Sequence, residues 1–247
     1  MNVTLRPMLL GFAIAAAVLA APDLHAQGVD VSARIDMGIQ HSSQTEKHKH
    51  ADILSSVVIW LSPVDPAALR QAPPAQHGPP YRLVQKDKQF SPHLLIIPTG
   101  ASVDFPNMDP FFHNVFSLFN GKRFDLGLYE TGANRSVKFD REGVSYIFCN
   151  IHPQMGAVVL SLSTPYYGVS GADGSVTIHG VPPGNYRLNL WSEHAEVSSL
   201  TAAERDVHVA SGNVQLGQIQ LRQAADPMAN HKNKFGEDYP PTPPTRY

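Results

Sequence analysis

The 247-residue chain has a single cysteine, Cys149, so no internal disulfide can form and a framework of covalent bridges is excluded. Charge is also scarce. Only 16% of residues are Asp, Glu, Lys or Arg, and the net charge is −2 with the histidines neutral, so the basic stripe that nucleic acid or an anionic membrane would require is missing. Long apolar runs are missing too. The longest, residues 8–19, is too short to span a bilayer, and no later segment is long enough. Neither nucleic-acid binding nor membrane insertion is expected.

That one apolar run has another reading. Arg6 precedes it and small residues follow, with a cut site after Ala26 or, alternatively, after Ala20 or Ala21. This is the pattern of a secretory signal peptide over residues 1–26. The mature protein is expected in a bacterial periplasm or otherwise secreted, and without a lipid anchor, because no cysteine follows the cut.

What is abundant is turn chemistry. With 18 glycines, 21 prolines and apolar residues alternating at a period near two, the chain reads as all-β. Strands are expected over 29–39 and, nearly continuous in apolar residues, over 53–61. A proline-rich connection covers 62–80. Then come a strand, a tight turn at Thr99 and Gly100 and a second strand within 94–105, followed by strands at 123–129, 135–139, 144–149 and 157–162. A different unit begins near Thr164, with strands at 175–179 and 185–191 and two short ones near 206–209 and 214–221. Residues 222–247 are polar, proline-rich and aperiodic, and read as a disordered tail.

Cys149 carries the chemistry. An exposed free thiol in an exported protein is open to oxidation, so Cys149 is expected to be either buried and inert or bound to metal. The heptapeptide Cys149-Asn150-Ile151-His152-Pro153-Gln154-Met155 favours metal, because it sets a thiolate, an imidazole and a thioether within seven residues. Soft sulfur with imidazole suits copper in both oxidation states. His113 is the candidate for the second imidazole. Cys149 ends one strand and the next begins at 157, so the loop between them is held at both ends, while His113 must arrive from a more remote strand. The metal would then sit at one end of a small β-barrel or sandwich.

Other functional classes are less well served. His41, His48 and His50 share a polar loop and could collect Cu(II), but Lys47 and Lys49 repel a cation and the run reads more simply as solvated. His93, His179, His194, His208 and His231 carry no spacing argument. Nucleophilic chemistry at Cys149 would need an acid and an oxyanion motif that are not evident. No second cysteine offers another thiolate centre, and Met155 occupies the position a catalytic copper would leave open. The chain is not expected to be an enzyme.

The run Val103-Asp104-Phe105-Pro106-Asn107-Met108-Asp109, then His113-Asn114-Val115, Gly143, Cys149, His152 and Met155, resembles cupredoxins of the plastocyanin and amicyanin type over about residues 85–163. Two residues between Cys149 and His152, and two more before Met155, resemble the short amicyanin ligand loop. The resemblance implies one copper per chain held by His113 and His152 ring nitrogens, the Cys149 thiolate and a weak axial Met155, with Asn114 tying the first ligand strand to the cysteine loop. It also implies a blue, type 1 copper protein that carries single electrons between protein redox partners such as a dehydrogenase or cytochrome. The alternatives are copper storage or delivery, and an interaction protein with a vestigial site. One departure is evident. Amicyanin-like strands place aromatics two and four residues before the cysteine, where this chain has Ile147 and Ser145. Tyr146 and Phe148 fall on the opposite face, so a covering element is expected there.

The later segment, Asp173-Gly174-Ser175-Val176-Thr177-Ile178 with Val181-Pro182-Pro183-Gly184-Asn185-Tyr186-Arg187-Leu188, is similar to carboxypeptidase regulatory-like, transthyretin-like β-sandwiches. That resemblance implies a discontinuous host built from 28–62 and 164–221, with 63–84 as linker and the cupredoxin unit at 85–163 as an insertion. Whole chains of this layout resemble exported methylamine-utilisation-like proteins.

Overall fold

The computed structural model describes residues 28–38, 53–67, 80–118, 121–224 and 231–239. The expected signal peptide and the His41, His48 and His50 loop lie outside these residues. The first two strands are β1 (Val29–Asp36) and β2 (Val58–Pro63). Next come β3 (Tyr81–Arg82), β4 (Val84–Lys86), β5 (Gln89–Ser91), β6 (Leu94–Pro98) and β7 (Ser102–Pro106). These are followed by β8 (His113–Ser117), β9 (Phe124–Tyr129), β10 (Asn134–Lys138), β11 (Gly143–Phe148) and β12 (Gly156–Leu162). The chain continues with β13 (Tyr167–Val169), β14 (Ser175–Val181), β15 (Gly184–Trp191), helix α1 (Val197–Ala203), β16 (Arg205–Val209) and β17 (Val214–Gln220). The protein is all-β, as its alternation predicts.

Pairing joins the two ends of the chain. β1 lies between β14 and β17, antiparallel to the first and parallel to the second. β2 lies between β13 and β15, and β16 completes that sheet. Alternate residues of the two sheets, among them Val31, Ile35, Ile59, Leu61, Ile178 and Leu188, enclose one core between them. Strands β3 to β12 pair only among themselves. Five form the sheet β6-β12-β11-β8-β9, faced by the sheet β10-β7-β3 across a second core that includes Phe105, Val115, Ile147 and Val159.

A third cluster explains why β12 is apolar at nearly every position. Ala157 and Val159 point into the second core, whereas Val158, Leu160 and Leu162 point the other way, onto Val58 of β2 and Trp191 of β15. The five-stranded sheet is thus covered on both faces. Tyr146 packs at this junction, so the aromatic displaced to the outer face of β11 meets the cover its position calls for.

Some expectations are corrected. The second strand does not begin at Ile53: residues 53–54 are helical, the Ser56 amide donates back to the Ile53 carbonyl, and β2 starts at Val58. The linker drawn to residue 84 ends earlier, because β3 pairs with β7 and Leu83 is buried. The short helix α1 carries no apolar period that would reveal it. The tail from 222 is not without structure throughout. Arg222 accepts from the Glu196 amide through its carbonyl, and residues 231–239 pack beside Phe148 and Cys149.

Candidate metal centre

The ligand loop hangs from a paired strand end. β11 and β12 are antiparallel neighbours whose last matched pair is Phe148 with Gly156, so the heptapeptide from Cys149 to Met155 closes a short connection. Two backbone bonds tighten it: the Cys149 amide donates to the Met155 carbonyl at 3.3 Å and the Met155 amide to the His152 carbonyl at 3.0 Å. His113 arrives at the start of β8, the strand on the other side of β11.

These elements bring three donor atoms together. The Cys149 sulfur is 3.7 Å from His113 Nδ1 and 3.6 Å from His152 Nδ1, and the two Nδ1 atoms are 3.2 Å apart. Among the described residues this is the one group of three or more His, Cys, Asp or Glu side chains arranged to hold a metal ion. Its edges fit such an ion. With metal–nitrogen bonds of about 2.0 Å and a metal–thiolate bond of about 2.3 Å, angles between tetrahedral and trigonal separate two nitrogens by about 3.3–3.5 Å and nitrogen from sulfur by about 3.5–3.7 Å. His113, Cys149 and Met155 are fully buried, and Met155 packs in the same cluster as Cys149.

The surrounding groups orient the donors. The outer nitrogen of His113, Nε2, is 2.7 Å from Asp109 Oδ2, which leaves Nδ1 directed at Cys149 and His152. Asp109 is itself held by the Asp87 amide at 2.7 Å and the Lys88 amide at 3.0 Å, while its own amide donates to Asn107 Oδ1 at 3.0 Å. Burial works to raise the Asp109 carboxyl, but these amides and His113 outweigh it and hold it below the usual carboxylate range. Nothing in the sequence alone assigns Asp109 this role. Its position four residues before His113 was the available signal.

Asn114 faces two ways. Its amide hydrogen bonds the Cys149 sulfur, joined there by the amides of Ile151 and His152. Its side-chain nitrogen donates to Asp125 Oδ1 at 2.7 Å. The contact of Asn114 with Cys149 is thus made by its backbone.

Burial leaves the Cys149 and His152 side chains neutral in the metal-free fold. Burial raises the Cys149 thiol in spite of those amides, so the metal-free sulfur carries its proton at neutral pH. Burial, with His113 and Lys88 adding and Asp109 opposing, pushes the His152 ring down to about 4, which leaves it neutral and able to bind metal.

The rim around His152 is largely apolar. Phe111 lies against both imidazoles, with ring centroids 5.2 Å from His113 and 5.6 Å from His152. Phe112 is 55% exposed and Ile151 44%, so Phe112 is not a core residue. Among the other histidines, His93 bonds Glu193 at 2.7 Å and the Gly156 carbonyl at 3.2 Å, and the His231 ring stacks on Phe148. Among the described residues no helix is long and apolar enough to cross a membrane.

No family model matches the chain, and none of the curated proteins does. Solved structures do show partial likenesses. A purple cupredoxin from Nitrosopumilus maritimus is 28% identical over 33% of this chain and 99% of its own, with a TM-score of 0.30. A copper-containing nitrite reductase from Thermus scotoductus SA-01 is 23% identical over 42% of this chain, with a TM-score of 0.34, and the match spans only 28% of the reductase. A variant of amicyanin in its reduced Cu(I) form is 16% identical over 42% of this chain and 98% of its own, with a TM-score of 0.32. Each likeness takes in less than half of this chain.

Proposed function

We propose that the chain is an exported blue copper protein that binds one copper ion through His113, Cys149, His152 and Met155 and passes single electrons between protein redox partners. The observation that supports this most is the triangle of two imidazole nitrogens and one cysteine sulfur, whose edges of 3.2, 3.6 and 3.7 Å suit a first-row metal. A thiolate with a thioether in the same cluster favours copper over harder ions. Copper in such a site supplies a one-electron couple.

The chain's own residues would do the rest. Asp109 fixes the His113 ring, and the amides of Asn114, Ile151 and His152 stabilise negative charge on the Cys149 sulfur. The loop bonds from Cys149 to Met155 and from Met155 to His152 restrict rearrangement between oxidation states. Met155, buried beside Cys149, would shield the position that a catalytic metal keeps open, which favours a carrier over an enzyme. The half-buried His152 edge, rimmed by Phe111, Phe112 and Ile151, suits brief contact with a partner protein.

The proposal extends to the chain's organisation. Residues 1–26 act as a signal peptide and deliver the protein to the periplasm or exterior. Residues 28–62 and 164–221 form a carboxypeptidase regulatory-like sandwich into which the cupredoxin unit is inserted. The experiment is direct. Cu(II) added to the purified protein is expected to give an intense thiolate-to-copper charge-transfer band and a narrow copper hyperfine splitting, and a pale spectrum with wide splitting would overturn the assignment. Reversible voltammetry with fast self-exchange is expected of a carrier, whereas very tight Cu(I) retention with slow exchange would identify a storage or delivery protein.

A further inference from the structure

The outer side of the Cys149 strand end is covered by a segment far away in sequence. Phe148 points out of the five-stranded sheet, and the His231 ring stacks on it at 4.0 Å with the planes only 12° apart. The Tyr239 hydroxyl donates to the Cys149 carbonyl at 2.9 Å and lies 3.1 Å from His231 Nε2. Both backbone polar groups of Cys149 are therefore engaged, the amide by the ligand loop itself and the carbonyl by a phenol from outside it.

A second grip falls on the ligand loop and on β9. The Lys234 amide donates to Asn150 Oδ1 at 2.9 Å, and its ammonium group donates to Asp125 Oδ2 at 2.7 Å. The other oxygen of Asp125 takes the Asn114 side chain, and the Asn114 amide faces the Cys149 sulfur. The segment thus reaches the sulfur's surroundings from two directions, at the end of β11 and through β9 to β8. Asn233 is buried and accepts the Phe235 amide at 2.9 Å and the Glu237 amide at 3.1 Å, which gives the segment a fixed bend of its own.

We propose that Tyr239, and Lys234 acting through Asp125 and Asn114, are positioning residues of the metal centre that hold Cys149 from its outer side. The inference rests on Cys149 being the thiolate ligand. Its test is built to separate the two. In the metal-free full-length protein, Tyr239→Phe and Lys234→Met should each speed the reaction of Cys149 with a small aromatic disulfide reagent by roughly fivefold, the factor that one lost hydrogen bond gives to a local opening. Lys232→Met removes only the exposed pair with Asp238 and serves as the control that should leave the rate unchanged. In the copper-loaded protein the first two variants should shift the charge-transfer band, and the control should not. Unchanged labelling and an unmoved band in Tyr239→Phe and Lys234→Met would overturn the proposal, as would labelling rates that simply follow melting temperature across all three variants. Absence of a blue band from every form, wild type included, would instead sink the copper assignment, with the labelling series still deciding whether the segment holds Cys149.

Discussion

His113 Nε2 sits 2.7 Å from Asp109 Oδ2, and the same carboxylate takes the backbone amides of Asp87 and Lys88. The connection before β5 therefore sets the rotation of a ring whose far nitrogen faces Cys149. Asp109→Asn keeps the size of the side chain and loses the charge. It is expected to weaken metal binding by about 10- to 100-fold, the usual cost of removing an outer partner from a ligating histidine. Competition with a calibrated chelator measures it.

Cys149→Ala removes the thiolate, and with it the charge-transfer band. Metal retained with the band intact would show that the sulfur is not a ligand. Met155→Leu is expected to keep copper and raise the reduction potential, because a thioether near the metal is replaced by a hydrocarbon of similar volume. An unchanged potential in voltammetry would remove Met155 from the coordination shell.

Metal uptake should release protons. The Cys149 thiol is raised above its ordinary value by burial, so it is neutral at pH 7 and must lose its proton to bind. Apparent affinity is then expected to climb by about one decade per pH unit between pH 6 and 8. Calorimetry in buffers of different ionisation enthalpy counts the protons directly.

The metal-free protein should lose stability in acid for a separate reason. The His152 pKa falls from 6.5 in the open chain to about 4 in the fold, so the unfolded state binds the proton more tightly. Stability is full above about 6.5 and declines as the pH drops towards 4. Denaturant midpoints across this window should slope less in His152→Gln.

Trp191 tests the junction. It is buried against β12 by the same cluster that holds Val58, Leu160 and Leu162, so Trp191→Ala is expected to cost about 3–5 kcal/mol. The site lies on the other side of the sheet, and the blue spectrum should survive where the variant remains folded.

Much of this arrangement is legible in the residues. Period-two alternation marks β1, β14 and β15, and the spacing from Cys149 to Met155 sets out the loop. The displaced pair Tyr146 and Phe148 calls for a cover on the outer face of β11, and the structure supplies two, the β2 and β15 side for Tyr146 and His231 for Phe148. What escapes is long-range polar pairing. Tyr239 and Cys149 are ninety residues apart, and a polar, proline-rich tail has no period to show that one phenol is anchored. The Asp109 contact is local but depends on a bend, and helix α1, only seven residues long, lacks a cap from the Glu196 side chain.

The position of β1 has a consequence for the order in which the molecule can close. Its partners β14 and β17 come from the far end of the chain, Val31 lying opposite both Ile178 and Val214. A chain made from its N-terminus must hold this apolar strand unsatisfied until nearly all of it has emerged, and the long loop it closes carries a correspondingly large entropic cost. Strands β3 to β12 need nothing from either end to pair. The part that carries Cys149 can therefore mature first, and the older and newer ends of the chain then seal around it.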